Sequence, residues 1–358
     1  MTTDGDWKIF TGSRKPGTRI LDLPAPPSWR PQKAPVLVER QLPWTKKLGD
    51  GPAVEGTERA ISFHATPAIV EIVNAALYLR RPLLVTGKPG SGKSSLVEAV
   101  AWELGLGAPL RWAVTSRSTL RDALYQYDAI GRLQDDPRDV QAPARDAAAK
   151  ATSVGRFVTL GALGTSLLPT HRPRALLIDE IDKSDIDLPN DLLNVFEEGE
   201  FEIPELRRFG TDLDVEVLTS DKGQPRVTVH GGLVQCHQFP FMVLTSNGER
   251  EFPAPFLRRC LRLEMPNPTG NRPEDDNEDG KRLKEIVRLH FKDKAAELAS
   301  ANRVIEQFID IAINKGRDVA TDQLLNAVYF VLDKHQKPVE ERERVLQQLM
   351  RELVETRP

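Results

Sequence analysis

The sequence predicts an α/β fold, a parallel sheet layered with helices, followed by a C-terminal unit built only of helices. Three observations carry that expectation. Apolar runs of strand length alternate with stretches whose apolar residues recur at three- and four-residue spacing, the order that builds βαβ units. The run Arg81 to Val100, RPLLVTGKPGSGKSSLVEAV, passes from an apolar strand into glycines and lysines and then into a helix pattern. From Lys281 to Val354, helix-like stretches follow one another without a strand signal.

The elements follow in order. Residues 1–58 are a proline-rich arm, with LPAPPSWRPQKAP at Leu23 to Pro35 and scattered Trp7, Trp29 and Trp44. No regular element runs far through such a composition. It reads as a loose tail or, given its tryptophans, as a segment docked on its own or a neighbouring subunit. Residues 59–273 form the α/β core. A helix is expected within Ile61 to Leu79, with Thr66 as N-cap and Pro67 in the first helical position. Then come a strand at Pro82 to Thr86, a helix at Ser94 to Leu104, a strand at Leu110 to Thr115, and a helix capped near Thr119.

The segment Asp135 to Leu168 shows no clean period and reads as an insertion or long loop. Strands are expected at Ala175 to Asp179 and Phe239 to Asn247, and CLRLEM at Cys260 to Met265 alternates as another. Between them, RVTVHGGLVQ at Arg226 to Gln235 reads as a hairpin about Gly231 and Gly232. The acidic EDDNEDG at Glu274 to Gly280 reads as a solvated linker into the helical unit, residues 274–358. There ERERVLQQLMRELV is a solvated amphipathic helix.

Composition narrows the function classes. A chain of 358 residues can bury a substantial core, and a net charge of -3 is not the basic field that general nucleic-acid binding requires. The two cysteines, Cys236 and Cys260, form no CxxC pair, which argues against a disulfide framework or a zinc knuckle. His230, Cys236 and His237 do not repair that, since their spacing fits no zinc pattern. The first residues, MTTDGDWKIF, lack a secretory leader, and no apolar run approaches the ~20 residues of a membrane span. The expected location is the cytoplasm.

The chemistry concentrates in a few places. GKPGSGKS, Gly87 to Ser94, matches G-x-x-x-x-G-K-[ST] between a predicted strand and a predicted helix. Glycines let backbone N–H groups turn inward around a phosphate, and the helix N-terminus adds partial positive charge. Gly87, Pro89, Gly90, Ser91, Gly92, Lys93, Ser94 and Ser95 are therefore the expected nucleotide-binding residues, with Lys93 on the β- and γ-phosphates and Ser94 on Mg²⁺. ALLIDEID delivers Asp179 at a strand end as a second Mg²⁺ ligand, while Glu180 would polarise a water for in-line attack. Asn247, at the end of FMVLTSN, would orient that water or touch the γ-phosphate. Arg258 and Arg259, after EFPAPFL, would supply always-charged planar donors to a neighbouring subunit's nucleotide.

Taken in order, GKPGSGKS, LLIDEIDKSD, VLTSNGERE and EFPAPFLRRC, followed by a helical lid, resemble the AAA+ ATPases and within them the MoxR-like branch. FPAPFLRRC and the RVTVHGG hairpin are the most branch-specific parts, and the resemblance runs from about Ile61 to Leu349. It implies a P-loop NTPase parallel sheet with ATP and Mg²⁺ as cofactors. Walker A then lies at Gly87 to Ser94, Walker B at Asp179 and Glu180, sensor 1 at Asn247, and an arginine finger at Arg259 beside Arg258. TLRDALYQYDAIGRL, Thr119 to Leu133, stands where that branch carries an insertion in its second helix. Two departures stand out. Glu200 to Gln224 is longer than a simple link, and the lid has no clear sensor 2, for which Arg317 in GRDVATDQLL is the candidate. The resemblance also implies a homo-oligomeric ring, commonly a hexamer, and a partner bearing a von Willebrand factor A domain.

Rival functions are weighed by the same residues. A small-molecule kinase shares the phosphate loop but needs no Asp-Glu pair, polar sensor and double arginine, and the nearest string to a guanine-reading N-K-x-D ends in Arg317. Among ATP-driven proteins, the acidic balance favours a protein-remodelling or maturation motor over a nucleic-acid motor of the restriction-translocase type. An ATP-gated switch in a bacterial defence or signalling assembly would use the same residues and stays open.

Overall fold

The computed structural model describes residues 7–30, 35–39, 57–134, 147–223, 225–266, 276–291, 298–311, 321–332, 344–346 and 348–349. A short helix, α1 (Thr57–Ser62), precedes α2 (Pro67–Leu79). Thr66 caps α2 as expected: its hydroxyl accepts from Ile69 N at 3.4 Å, and Pro67 occupies the first turn, where no N–H is needed. Strand β1 (Leu83–Thr86) leads through the glycine loop into α3 (Lys93–Leu104), then β2 (Leu110–Ala113). Thr119 caps α4 (Leu120–Leu124) by accepting from Asp122 N at 3.2 Å. There follow β3 (Tyr125–Tyr127), α5 (Ala129–Gln134), α6 (Ala147–Gly155), β4 (Val158–Leu160) and α7 (Ala162–Ser166). Next are β5 (Ala175–Asp179), α8 (Leu188–Glu198), β6 (Glu200–Glu202), α9 (Pro204–Arg207), β7 (Asp214–Leu218), β8 (Arg226–His230) and β9 (Leu233–Gln235). The core closes with β10 (Phe241–Ser246), α10 (Ala254–Arg259) and β11 (Leu261–Glu264).

The central sheet has five strands in the order β11-β1-β10-β5-β2, all parallel. Both of its faces are covered, which is why β1, β5 and β10 read as continuous apolar runs. Alternate residues of the same strands serve opposite layers. Leu84, Ile178 and Leu244 join one hydrophobic cluster, whereas Leu83, Val85, Leu177 and Val243 join the other.

A second sheet, in the order β3-β4-β7-β8-β9-β6, gathers residues far apart in sequence. Its pairings are antiparallel except β4 with β7, which meet in parallel at Thr159↔Leu218. The expected hairpin is present: β8 alternates with Val227 and Val229 buried, and Gly231 and Gly232 turn the chain with φ of 55° and 66°. Of the two readings of segment 135–168, an insertion or a long loop, the described part departs from the long loop. That part contains α6, β4 and α7, elements too short to show a period, and small residues there serve close packing. A Cβ on Gly155 would lie 2.3 Å from Val215 Cγ1, and one on Gly164 would lie 1.9 Å from Leu124 O. Residues 200–224 likewise contribute β6, α9 and β7 rather than a plain link.

The helical unit contains α11 (Asp276–His290), α12 (Asn302–Ile309) and α13 (Thr321–Leu332), around a cluster that includes Leu283, Val287, Val304, Phe308, Leu324 and Val328. The acidic linker of the sequence reading is corrected here: from Asp276 the chain is already helix α11.

The proline-rich arm, over residues 7–30, lies on its own chain. Ile9, Phe10 and Ile20 are buried in the cluster that holds Val73, Leu77 and Leu104. Asn74 of α2 ties this segment down, its amide bonding Ile9 N, Phe10 N and Phe10 O. Glu103 of α3 accepts from Thr11 N at 2.7 Å and from Arg14 N at 3.2 Å.

Candidate functional site

The site forms where β1, β5 and β10 end on the same side of the sheet. Beyond Thr86 the chain must fold back on itself, and it does so with Gly87, Gly90 and Gly92 at φ of 149°, 72° and 87°. At Gly87 a Cβ would also meet Met265 Cβ at 3.1 Å and Ser91 Oγ at 3.2 Å. Helix α3 starts at Lys93, whose ammonium turns back into the loop. Its Nζ donates to Gly87 O at 2.6 Å, Lys88 O at 2.9 Å and Asn247 Oδ1 at 2.8 Å. Burial pulls the Lys93 pKa below its ordinary value, and Asp182, Asp179 and Glu180 pull it back up.

Asp179 ends β5 beside this loop. Its Oδ1 accepts from Ser94 Oγ at 3.3 Å and from Thr245 Oγ1 at 2.5 Å, and Thr245 in turn accepts from Glu180 N at 2.9 Å. Glu180 adopts a left-handed φ of 59°, rare for a side chain with a Cβ, and its carboxylate meets Lys183 Nζ at 2.8 Å. Asp182 is buried, and its Oδ2 accepts from Asn247 N at 2.8 Å and Glu249 N at 3.2 Å. One turn after β5 thereby holds the loop after β10.

A cavity of about 510 Å³ opens over this loop, lined by residues 90–95, by Phe63 and His64 from the α1 side, and by Leu283, Ile286, His290 and Leu325 of the helical unit. Ser62 Oγ and His290 Nε2 approach to 3.2 Å across it, while His290 Nδ1 lies 2.9 Å from Ile286 O.

Of the sequence-predicted residues, Gly87, Pro89, Gly90, Ser91, Gly92, Lys93, Ser94 and Ser95 form the loop and helix start, and Asp179 and Asn247 touch its side chains. Glu180 stands at the same strand end. Arg258 and Arg259 do not line the cavity. They end α10, where Arg259 Nε donates to the Glu197 carboxylate of α8 and Arg81 donates to Arg258 O at 2.9 Å. Arg317 lies outside the described residues. Sequence reasoning missed Thr245 and Asp182, although each sits two residues from a chosen one. It also missed Ser62 and His290, for which only the fold supplies proximity.

Residues 82–251 match the AAA domain of the dynein-related subfamily. The core has the AAA+ P-loop fold. No curated protein matches the chain. Among solved structures it is similar to NtrX from Brucella abortus, crystallised in complex with ADP, at 12% identity and a TM-score of 0.35. That match covers 78% of this chain but only 54% of the other, so it spans about half the length of that protein.

The AAA+ core suits a nucleotide polyphosphate. Ser91 Oγ is buried in the loop without a hydrogen-bond partner among the described residues, a donor facing a position that a phosphate oxygen can fill. Ser94 and Asp179 present adjacent oxygens fit for a hard divalent cation. Among the described residues no group of three or more His, Cys, Asp or Glu converges. Such a cation would therefore be held by those two residues together with phosphate and water, the usual arrangement for Mg²⁺. No helix among the described residues is long and apolar enough to cross a membrane.

Proposed function

We propose that this chain is an ATP hydrolase of the MoxR-like branch, working as a homo-oligomeric ring that remodels or matures a protein client. The observation that carries the reading is the bond between Lys93 Nζ and Asn247 Oδ1. It joins a phosphate-loop cation to a polar group just beyond the end of β10, 154 residues away, at the place where a γ-phosphate would be sensed. Lys93 then exchanges its carbonyl partners for phosphate oxygens, and the loop amides carry the rest of the charge. Mg²⁺, when bound, neutralises charge developing on the β- and γ-phosphates, and Ser94 and Asp179 are the residues that would hold it.

Glu180 is the general base in this reading, and the 2.8 Å contact with Lys183 holds its carboxylate in place until a water takes the proton-accepting oxygen. Asp182 and Thr245 set the positions of Asn247 and Asp179 and touch no substrate. Arg259, released from Glu197, reaches the nucleotide of the adjoining subunit with Arg258 beside it. The branch assignment is supported by FPAPFLRRC and by the hairpin about Gly231 and Gly232 on the second sheet. Movement of the lid, residues 274–358, against the core, residues 59–273, would pass hydrolysis to the client, for which a protein carrying a von Willebrand factor A domain is the expected class. A hexamer is the expected ring.

The test is ATPase activity per subunit against protein concentration, repeated with Arg259→Ala mixed into the wild type. Specific activity should climb to a plateau, and the variant should lower it more than dilution explains. Flat specific activity with simple dilution would refute the shared site. Glu180→Gln should retain ATP without turning it over.

A further inference from the structure

We infer that Arg30 of the proline-rich arm is a positioning residue for the Arg258–Arg259 pair, which makes the arm part of the face a subunit presents to its neighbour's nucleotide. The inference rests on the shared-site reading above.

Two helix ends meet at Arg30. Arg80 closes α2 in a left-handed conformation, and Phe196 and Glu197 lie in the last turn of α8. Helix C-termini leave carbonyls without intrahelical partners and favour a cation. Arg30 satisfies both ends with one rigid fork. Its NH2 donates to Arg80 O at 2.6 Å, and its NH1 donates to Phe196 O at 2.6 Å, with Glu197 O at 3.4 Å. The guanidinium also lies over the Phe239 ring, 5.2 Å from its centroid. Lysine, with a single point charge, could not span the two carbonyl sets in this way.

The residues next to those carbonyls hold the arginine pair. Arg81 donates to Arg258 O at 2.9 Å, and the Glu197 side chain takes Arg259 Nε. Arg30 thus fixes the backbone on either side of the pair: residues 80–81 hold Arg258, and residues 196–197 hold Arg259. The electrostatics agree with that proximity. Burial lowers the Arg30 pKa most; Arg81 and, less strongly, Arg259 lower it further, and Glu197 raises it. Three guanidinium groups and one carboxylate therefore share a neighbourhood, which a bridge between two helix ends keeps in register. Arg258 is exposed, and its side chain has no hydrogen-bond or ion-pair partner among the described residues, as a donor meant for another molecule would be.

Intersubunit complementation tests this. Full-length Arg30→Met should lower kcat by about tenfold or more, as misplacement of a reacting group does, with KM for ATP within about twofold of wild type. Mixed before assembly with Glu180→Gln, it should regain activity, because the Glu180→Gln chain offers an intact arginine pair to the sound site of the Arg30→Met chain. Arg259→Ala with Glu180→Gln is the reference mixture. If the reference regains activity and Arg30→Met does not, Arg30 serves only its own chain and the inference falls. If the reference also fails, the shared-site reading falls first. Full activity of Arg30→Met alone overturns the inference too. Should Arg30→Met fail to fold, by thermal unfolding or loss of ADP binding, Arg30→Lys takes its place in the same mixtures with the same criteria.

Discussion

Asn74→Ala would detach the arm without disturbing the central sheet. Asn74 is fully buried on α2 and uses its whole amide: Oδ1 accepts from Ile9 N at 2.7 Å and Phe10 N at 3.0 Å, and Nδ2 donates to Phe10 O and Val70 O, each at 2.7 Å. If the arm stayed in place after the substitution, two desolvated N–H groups would lack acceptors at about 1–3 kcal/mol each, so about 2–6 kcal/mol in all. Peeling the arm away instead exposes Ile9 and Phe10, about 1.5–3 kcal/mol apiece, and returns backbone entropy of about 1–2 kcal/mol per freed residue. The second route competes once the amide is gone, so the free energy of local opening should fall by about 3 kcal/mol, roughly 100-fold in hydrogen exchange. The assay is exchange at the Ile9 and Phe10 amides, with the amides of β10 as internal reference. Unchanged exchange at Ile9 and Phe10 would refute the clamp. An equal rise across β10 would show that Asn74 supports the core rather than the arm.

Three further outcomes follow from the same geometry. Asp182→Ala removes the acceptor of Asn247 N and Glu249 N, and should lower kcat about 10- to 100-fold while nucleotide affinity, from equilibrium titration, moves by less than about threefold. Burial pushes the Cys260 thiol up to about 12 against the opposing pull of Arg81, so native protein near pH 8 should alkylate at half-buried Cys236 and spare Cys260, as mass spectrometry would show. Because the folded value lies above the unfolded one, the Cys260 contribution to stability is complete below about pH 8.5 and is lost as pH rises toward about 12. Gly232→Ala should cost more stability than Gly223→Ala in denaturant titrations. Both have positive φ and bear left-handed strain of about 1–2 kcal/mol, but only at Gly232 does a Cβ meet backbone, 2.7 Å from Arg207 N.

Much of the central layer was legible because its signals are local. Buried parallel strands are apolar runs, Thr66 and Thr119 are caps within a turn of what they cap, and the phosphate loop is contiguous. The second sheet was less legible. Only the hairpin about Gly231 and Gly232 declares itself, since β3, β4 and β6 have three residues each and owe their conformation to partners distant in sequence. The candidate site divides the same way. Lys93, Asp179 and Asn247 carry recognisable neighbours, but Asp182 bonds to a loop 65 residues on, and nothing in its own surroundings marks it as that loop's support. The arm offered least, because proline-rich sequence does not state where it will lie. Asn74 and Arg30 decide that, each through backbone atoms that carry no sequence signal.

The parallel pairing of Thr159 with Leu218 has a consequence for how the chain assembles. The central strand β5, with Asp179 at its tip, lies between those two residues in sequence. The second sheet therefore cannot close until a loop containing that strand has closed, an ordering cost that grows with loop length and slows folding. During synthesis β4 must wait for β7 to emerge, and an unpaired strand edge is the kind of surface on which partly made chains aggregate. Slow, late closure of the second sheet would make its completion a checkpoint: a chain that has formed it has already made and enclosed strand β5, which ends at Asp179.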